Sequence, residues 1–322
     1  MLALETERLT KDYPVGFWRP RPYRALDSLS LQVEPNEVFG FLGPNGAGKT
    51  TTLKLLTELI YPTSGRISVL GKPPGHPDVR RRVGYLPEAP YFYDYLSAEE
   101  LLVYFAGLFG LRGAERSRRV STLLDQVGIA GERRLPLRKF SKGMLQRVGL
   151  AQALINEPEL VFLDEPMSGL DPLGRRDVRA LILALRERGC TVFFSSHILS
   201  DAEALCSRVA IVVGGQLVTS GSLSEILAFE VSGWELVVAD LVPGAVEALG
   251  SAVRKVTRIS EGRYTIEVAP EAEPERLVSD LRSRGGRFVS LNPVRATLED
   301  YFVRQVTARK AAPPPEIGRA HV

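Results

Sequence analysis

Gly43-Pro44-Asn45-Gly46-Ala47-Gly48-Lys49-Thr50 fits the spacing G-x-x-x-x-G-K-[ST], the pattern of a loop that wraps phosphate. Its glycines permit backbone conformations closed to residues with a Cβ. Successive N–H groups can then converge on phosphate oxygens at the positive end of a following helix. In that arrangement Lys49 reaches the outer phosphates and the Thr50 hydroxyl ligates Mg²⁺. A second centre is Asp164-Glu165, two adjacent carboxylates that close the apolar run Leu160-Val161-Phe162-Leu163. Asp164 suits Mg²⁺, held through its water shell, and Glu165 suits polarising the water that attacks a terminal phosphate. His197 leaves a third apolar run, Thr191-Val192-Phe193-Phe194-Ser195-Ser196, where an imidazole can hydrogen-bond that phosphate and position water.

These groups need strand ends to hold them. Glu37 to Leu42 is a continuous apolar run ahead of the glycine loop, and Thr51 to Ile60 has helical character, giving strand, loop, helix. Strands are expected at Arg66 to Leu70, Arg82 to Leu86, Leu160 to Leu163, Thr191 to Ser195 and Val209 to Val213. Helices at Pro172 to Arg188 and Leu199 to Leu205 alternate with the last three, which predicts a parallel sheet with right-handed crossovers. Ligands bind at the C-terminal edge of such a sheet, where both carboxylates fall. Leu2 to Val33 reads as short strands separated by a loop, the Pro-rich insertion Pro14 to Pro22 with Phe17 and Trp18. Residues 96–139 read as a helical insert: Ser97-Ala98-Glu99-Glu100 is a capping box before the helix Leu101 to Phe109, and a second helix runs from Ala114 to Val127. From residue 223 the order becomes strand (Trp234 to Val238), helix (Ala245 to Leu249), strands (Lys255 to Ile259, Arg263 to Val268), helix (Pro274 to Arg284), strand (Arg287 to Leu291) and helix (Ala296 to Val306). That is a split βαββαβ pattern plus one helix.

Composition bounds the rest. The 322 residues are 44% hydrophobic and 25% charged with a formal net charge of +3, which excludes a disordered or collagen-like chain and leaves room for two domains. Charge that even selects no polyanionic partner. Cys190 and Cys206 have no metal-ligand pattern beside them, so neither a disulfide framework nor a zinc site is indicated and a reducing compartment fits. The N-terminus turns acidic at Glu5, and no stretch approaches the ~18 uninterrupted apolar residues of a membrane span.

Between the two acidic and basic centres lies Phe140-Ser141-Lys142-Gly143-Met144. With it the chain resembles the nucleotide-binding subunits of ATP-binding cassette (ABC) transporters, whose L-S-G-G-Q signature sits just before the acidic strand. Ser168-Gly169-Leu170-Asp171 resembles the family's D-loop and His197 its switch histidine. The resemblance covers roughly residues 1 to 222. It implies an α/β P-loop NTPase core with an antiparallel β subdomain and a helical insert, followed by a small C-terminal α+β domain at 223–308 and a flexible tail at 309–322. It also implies an ATPase at the cytoplasmic face of the membrane that uses ATP and Mg²⁺. Nucleotide contacts are implied for Tyr13 (stacking on adenine), Gly43, Pro44, Asn45, Gly46, Ala47, Gly48, Lys49, Thr50, Thr51, Glu88 and Asp171, metal contacts for Thr50 and Asp164, and catalysis for Lys49, Glu165 and His197. Family members work as head-to-tail pairs, so Ser141 and Gly143 of one subunit would meet the nucleotide of the other. A homodimer or a paired relative, and an integral membrane permease, are the implied partners. No nucleic acid is expected.

Three positions depart from the family pattern: Lys142 and Met144 replace a glycine and a glutamine of the signature, and Glu88 stands where a glutamine is usual. Such replacements resemble exporter-type subunits with a C-terminal extension, as does Leu298-Glu299-Asp300-Tyr301-Phe302. The insertion after Tyr13 also offers Trp18 or Tyr23 for the adenine stack. Pro90 to Tyr95 reads either as an aromatic anchor for the membrane partner or as packing beneath the insert. The C-terminal domain reads either as a docking or regulatory module or as simple packing. Two other functions compete: an ABC-type ATPase acting on nucleic acid or translation machinery, and an accessory protein that binds nucleotide without turnover. One phosphate loop and a short span between Lys49 and Ser141 speak against the first. Glu316 to Val322 back-translates to a string resembling a sequencing adapter, so the natural C-terminus is expected to be replaced there.

Overall fold

The computed structural model describes residues 1–16, 21–227, 231–241, 253–269, 271, 273–295 and 297–303. Trp18, the helix expected at Ala245 to Leu249, the end of the last helix and the tail with its adapter-like residues lie outside them. The chain divides into two compact units, Met1–Leu223 and Ser224–Val322.

In the first unit a six-stranded sheet has the order β5 (Val83–Leu86), β6 (Leu160–Asp164), β7 (Thr191–Ser196), β3 (Val38–Leu42), β8 (Arg208–Val213), β9 (Gln216–Ser222). The first five are parallel, and their continuous apolar sequences follow from burial on both faces. Phe193 on β7 is the centre of this layer, with Phe39, Phe41 and Phe162 ring centroids 5.6, 5.4 and 5.7 Å away. The expected parallel sheet forms, and it carries one further strand that the sequence did not reveal. β9 returns antiparallel on β8 because Gly214-Gly215, both at positive φ, make a tight turn that leaves no room for a crossover helix.

A second sheet orders β2 (Arg21–Val33), β1 (Leu4–Val15) and β4 (Ser64–Val69), all antiparallel. At both described ends of the Pro-rich insertion the chain continues the β1/β2 hairpin, with Tyr13 opposite Tyr23, Pro14 opposite Pro22 and Val15 opposite Arg21. Two facing prolines end amide donation there without ending the strands, which is tolerated at the open tip of a ribbon. The sequence also hid α2 (Pro77–Arg82), a single charged turn and a half capped by the His76 ring, which accepts from the Asp78 amide.

The helical insert contains α3 (Ala98–Leu108) and α4 (Gly113–Gln126), followed by α5 (Lys142–Ala153). The capping box forms: the Glu100 amide donates to Ser97 Oγ at 3.2 Å, and the Ser97 amide donates to Glu100 Oε2 at 2.8 Å. Ser97→Ala is expected to cost about 1 kcal/mol, read as a lower urea midpoint, and an unchanged midpoint would refute the cap's role. The remaining first-unit helices are α1 (Lys49–Leu56), α6 (Pro172–Glu187) and α7 (Leu199–Leu205), with the short α8 (Leu223–Ile226) at the unit boundary. Cys190 and Cys206 are buried and unpaired.

In the second unit β10 (Val231–Ala239), β11 (Val253–Ser260), β12 (Arg263–Val268) and β13 (Arg287–Arg295) form an antiparallel sheet ordered β11-β12-β10-β13. The helix α9 (Pro274–Ser283) buries Leu277 and Leu281 against Leu236, Val238 and Ile266. A helical segment over 298–303 begins with its own box: the Asp300 amide donates to Thr297 Oγ1 and the Thr297 amide to Asp300 Oδ2. Among the described residues no helix is long and apolar enough to cross a membrane.

Candidate functional site

β3 runs into the glycine loop, and α1 begins at its far end with Gly48 as the flanking residue at φ 100°. Two positions admit glycine alone. A Cβ on Gly43 would sit 2.2 Å from the Val212 carbonyl oxygen, and one on Gly48 would sit 2.6 Å from that of Ala25, on a backbone that L residues rarely adopt. The loop is thus wedged between the two sheets. The Gly43 amide itself donates to Ser196 O at 3.3 Å, which ties the loop to the end of β7.

Lys49 folds back into this loop. Its Nζ donates to Gly43 O at 2.8 Å and Pro44 O at 3.3 Å and pairs with Glu165 Oε1 at 3.2 Å, and the side chain is only 6% exposed. Glu165 follows the last residue of β6 at φ 50°, a left-handed conformation that turns its carboxylate toward both Lys49 and His197. Glu165 Oε2 lies 2.9 Å from His197 Nδ1. The chain Lys49–Glu165–His197 therefore joins three segments at the C-terminal edges of β3, β6 and β7, the edge at which ligands bind in such sheets.

Asp164 is fully buried one residue earlier. Its Oδ1 accepts from Ser195 Oγ at 2.6 Å, and its Oδ2 has no hydrogen-bond partner among the described residues. Burial holds the Asp164 carboxyl above its usual range, the Ser195 hydrogen bond and the Thr50 hydroxyl pull it down, and the Glu88 carboxylate pushes it up again. Thr50 and Glu88 are thus both near enough to bias the charge on Asp164. An unpartnered buried oxygen in that setting fits a divalent cation. Among the described residues no cluster of three His, Cys, Asp or Glu side chains is built to hold a metal alone. That agrees with Mg²⁺, which keeps waters and takes further ligands from substrate phosphates.

A buried, incompletely satisfied carboxylate costs stability when no cation is bound. Asp164→Asn keeps an acceptor for Ser195 and removes the charge, so the nucleotide-free protein is expected to melt higher by on the order of 2–4 °C while losing its Mg²⁺-dependent response to nucleotide. The sign with pH follows from the raised carboxyl. Stability from the protonated form is present below the ordinary value of 3.8 and is lost as pH rises through the higher folded value, so the gap between variant and wild type should close in acid. A variant that melts lower at neutral pH would contradict this.

Sequence reasoning missed Ser195. Its hydroxyl donates to Asp164 Oδ1 and accepts from the Glu165 amide at 3.0 Å, so one side chain fixes both acids. The signal was available: a serine pair closes an otherwise apolar strand.

The other expected residues are placed as follows. Ser141 is the N-cap of α5, accepting from the Met144 amide at 3.3 Å, and both it and Lys142 are exposed. Gly143 faces Leu170, and the Lys142 stem packs across Gly169, so the signature segment lies on the D-loop of its own chain. No hydrogen bond or ion pair links Ser141 to the residue 43–50 loop among the described residues. Asp171 is the N-cap of α6, accepting from the Gly174 amide at 2.9 Å. Tyr13 stands on β1 directly across from Tyr23, with Lys11 Nζ 5.2 Å from its ring centroid, so both rings share one face of the hairpin. Glu88 is exposed beyond β5.

Comparison with known proteins agrees with this geometry. A family model described as ABC transporter matches residues 26–168. An uncharacterized ABC transporter ATP-binding protein of Synechocystis is 48% identical over 95% of this chain and 85% of its own length. The Nod factor export ATP-binding protein I of Cupriavidus metallidurans is 34% identical over 87% of this chain and 91% of its own. A solved structure described as the ATP binding subunit of an ABC transporter superposes with a TM-score of 0.63 at 33% identity, over 71% of this chain and 92% of that one. With a relative of that name 48% identical over nearly the whole chain, the chain belongs to the ATP-binding proteins of ABC transporters.

Proposed function

We propose that the chain hydrolyses ATP as the engine of a membrane exporter, at the cytoplasmic face of the membrane. The carrying observation is the run Lys49–Glu165–His197, buried at Lys49 and Glu165 and open at His197, beside an Asp164 oxygen that lacks a partner. The loop amides of Asn45, Gly46 and Gly48 and the Lys49 ammonium bind the phosphates, Thr51 extends that contact along α1, and Glu165 takes the proton of the attacking water. His197 orients the same water and the terminal phosphate. Mg²⁺, when bound, neutralises phosphate charge, and Thr50 and Asp164 are the side chains that would hold it. Tyr13 stacks on the base, on the exposed face it shares with Tyr23.

Half of the chemistry comes from a second subunit. Ser141 and Asp171 are exposed, Gly143 is half-buried in the first turn of α5, and the positive end of α5 is capped by a hydroxyl that can also meet an anion. A head-to-tail pair, of two copies or of one copy and a relative, brings that end to the phosphates held by the other chain. An integral membrane permease takes up the resulting motion, and the export direction is supported by the name of the Cupriavidus relative.

The deciding measurement is the mass of the purified Glu165→Gln chain by light scattering. A dimer with Mg²⁺ and ATP, and a monomer with ADP, is the expected result. A chain that stays monomeric at saturating ATP, alone and with its permease, overturns the paired-site reading.

A further inference from the structure

Two arginine runs that the ATP reading leaves unused meet in space. Arg80 and Arg81 on α2, Arg118 and Arg119 on α4 and Arg188 after α6 line one open cavity of about 1110 Å³, against two carboxylates, Glu115 and Glu157. Ile155, Asn156 and Glu157 come just before β6, and Arg188 comes just before β7. The cavity therefore lies at the N-terminal edge of the parallel sheet, opposite the edge that carries the phosphate loop. At ~3.3 Å per residue, strands of five and six residues separate the two edges by ~15 Å or more.

The arginines divide into a scaffold and a free set. Arg119 is spent on structure: it donates to Ile155 O at 3.1 Å and Leu154 O at 3.2 Å, and pairs with Glu157. Arg80 pairs with Glu58 at 2.8 Å. Arg81, Arg118 and Arg188 are exposed, and no ion pair neutralises them among the described residues. Burial, with the repulsion of Arg188, holds the Arg119 guanidinium below its usual range, and the five arginines outnumber the two carboxylates, Glu115 and Glu157, in this cavity. Guanidinium forks match phosphate oxygens in geometry as well as charge. Leu108, Phe109 and Leu111 add an apolar wall to the same cavity.

We propose that this cavity is a second anion site, which takes a phosphate-bearing ligand of two or more negative charges through Arg81, Arg118 and Arg188. The site is independent of the ATP reading, because none of its residues touches the phosphate loop. The ligand's source is either a soluble phosphorylated molecule or the headgroup of an anionic lipid.

Two arms separate these sources. In the first, pyrophosphate is titrated calorimetrically into the full-length Glu165→Gln chain carrying one equivalent of ATP, so that the phosphate loop is filled. In the second, the wild-type chain is floated with phosphatidylglycerol or phosphatidylcholine vesicles. Both are repeated after Arg118→Gln and Arg188→Gln are introduced together. Neither arginine has a partner to lose, so the fold and basal ATP hydrolysis should stand. Pyrophosphate binding that weakens at least about tenfold in the double substitution supports a soluble ligand. Flotation on phosphatidylglycerol alone, lost in the double substitution, supports a headgroup. Absence of binding in both arms, or binding unchanged by the two substitutions, overturns the site.

Discussion

Glu165→Gln is expected to lower steady-state phosphate release from ATP by about 10²- to 10⁴-fold while leaving ATP affinity within a few-fold of wild type. The residue sits at φ 50° with one oxygen 3.2 Å from Lys49 Nζ and the other 2.9 Å from His197 Nδ1. Glutamine preserves size and most of the hydrogen bonding but cannot take the proton of water. The loss should therefore fall on turnover and not on binding, and the trapped ATP should favour the paired state. A rate within about threefold of wild type would show that proton transfer is not routed through this carboxylate.

Lys49→Ala should remove more. Lys49 holds Gly43 O, Pro44 O and Glu165 together, and both charged side chains are almost closed to solvent. Alanine removes the cation that the phosphates need, and charge-assisted contacts of about 1.5–3 kcal/mol each predict an ATP affinity weaker by roughly 10²-fold or more. It also leaves Glu165 buried without its ammonium partner. Breaking a buried pair from one side costs about 3–5 kcal/mol, so the melting temperature should fall as well. Adding Glu165→Gln to Lys49→Ala removes the stranded charge and should restore much of the stability with no gain in ATP binding. Equal melting of the single and double variants would show that the pair contributes nothing to the fold.

Much of this was legible from residue types. The glycine loop was readable because its spacing, the preceding apolar run and the following helix all make one demand, and the structure adds only why Gly43 and Gly48 admit no side chain. The acidic pair was readable because a strand buried on both faces has no other reason to end in two carboxylates. What stayed hidden depends on distant residues. Pro14, Val15, Arg21 and Pro22 lie in a stretch with the composition of a loop, yet cross-strand pairing keeps them in β1 and β2. α2 has too few residues to show a period and is anchored by Lys72 and Glu58 from other elements. Ser195 gains its role only when β6 and β7 lie side by side, a fact of strand order and not of spacing. The two arginine runs are far apart in sequence, and only the placement of α2 and α4 brings them around one cavity.

The two thiols offer a practical consequence. Cys190 and Cys206 are the only cysteines in the chain, they are 6% and 9% exposed, and burial pushes the Cys190 thiol up to about 12 and the Cys206 thiol higher still. Alkylating dyes react with thiolates, so the native molecule is close to silent toward maleimide. A single cysteine substituted at a solvent-facing site such as Tyr91, which is 94% exposed, therefore becomes a unique address for a fluorophore, with no need to strip the natural sulfurs first.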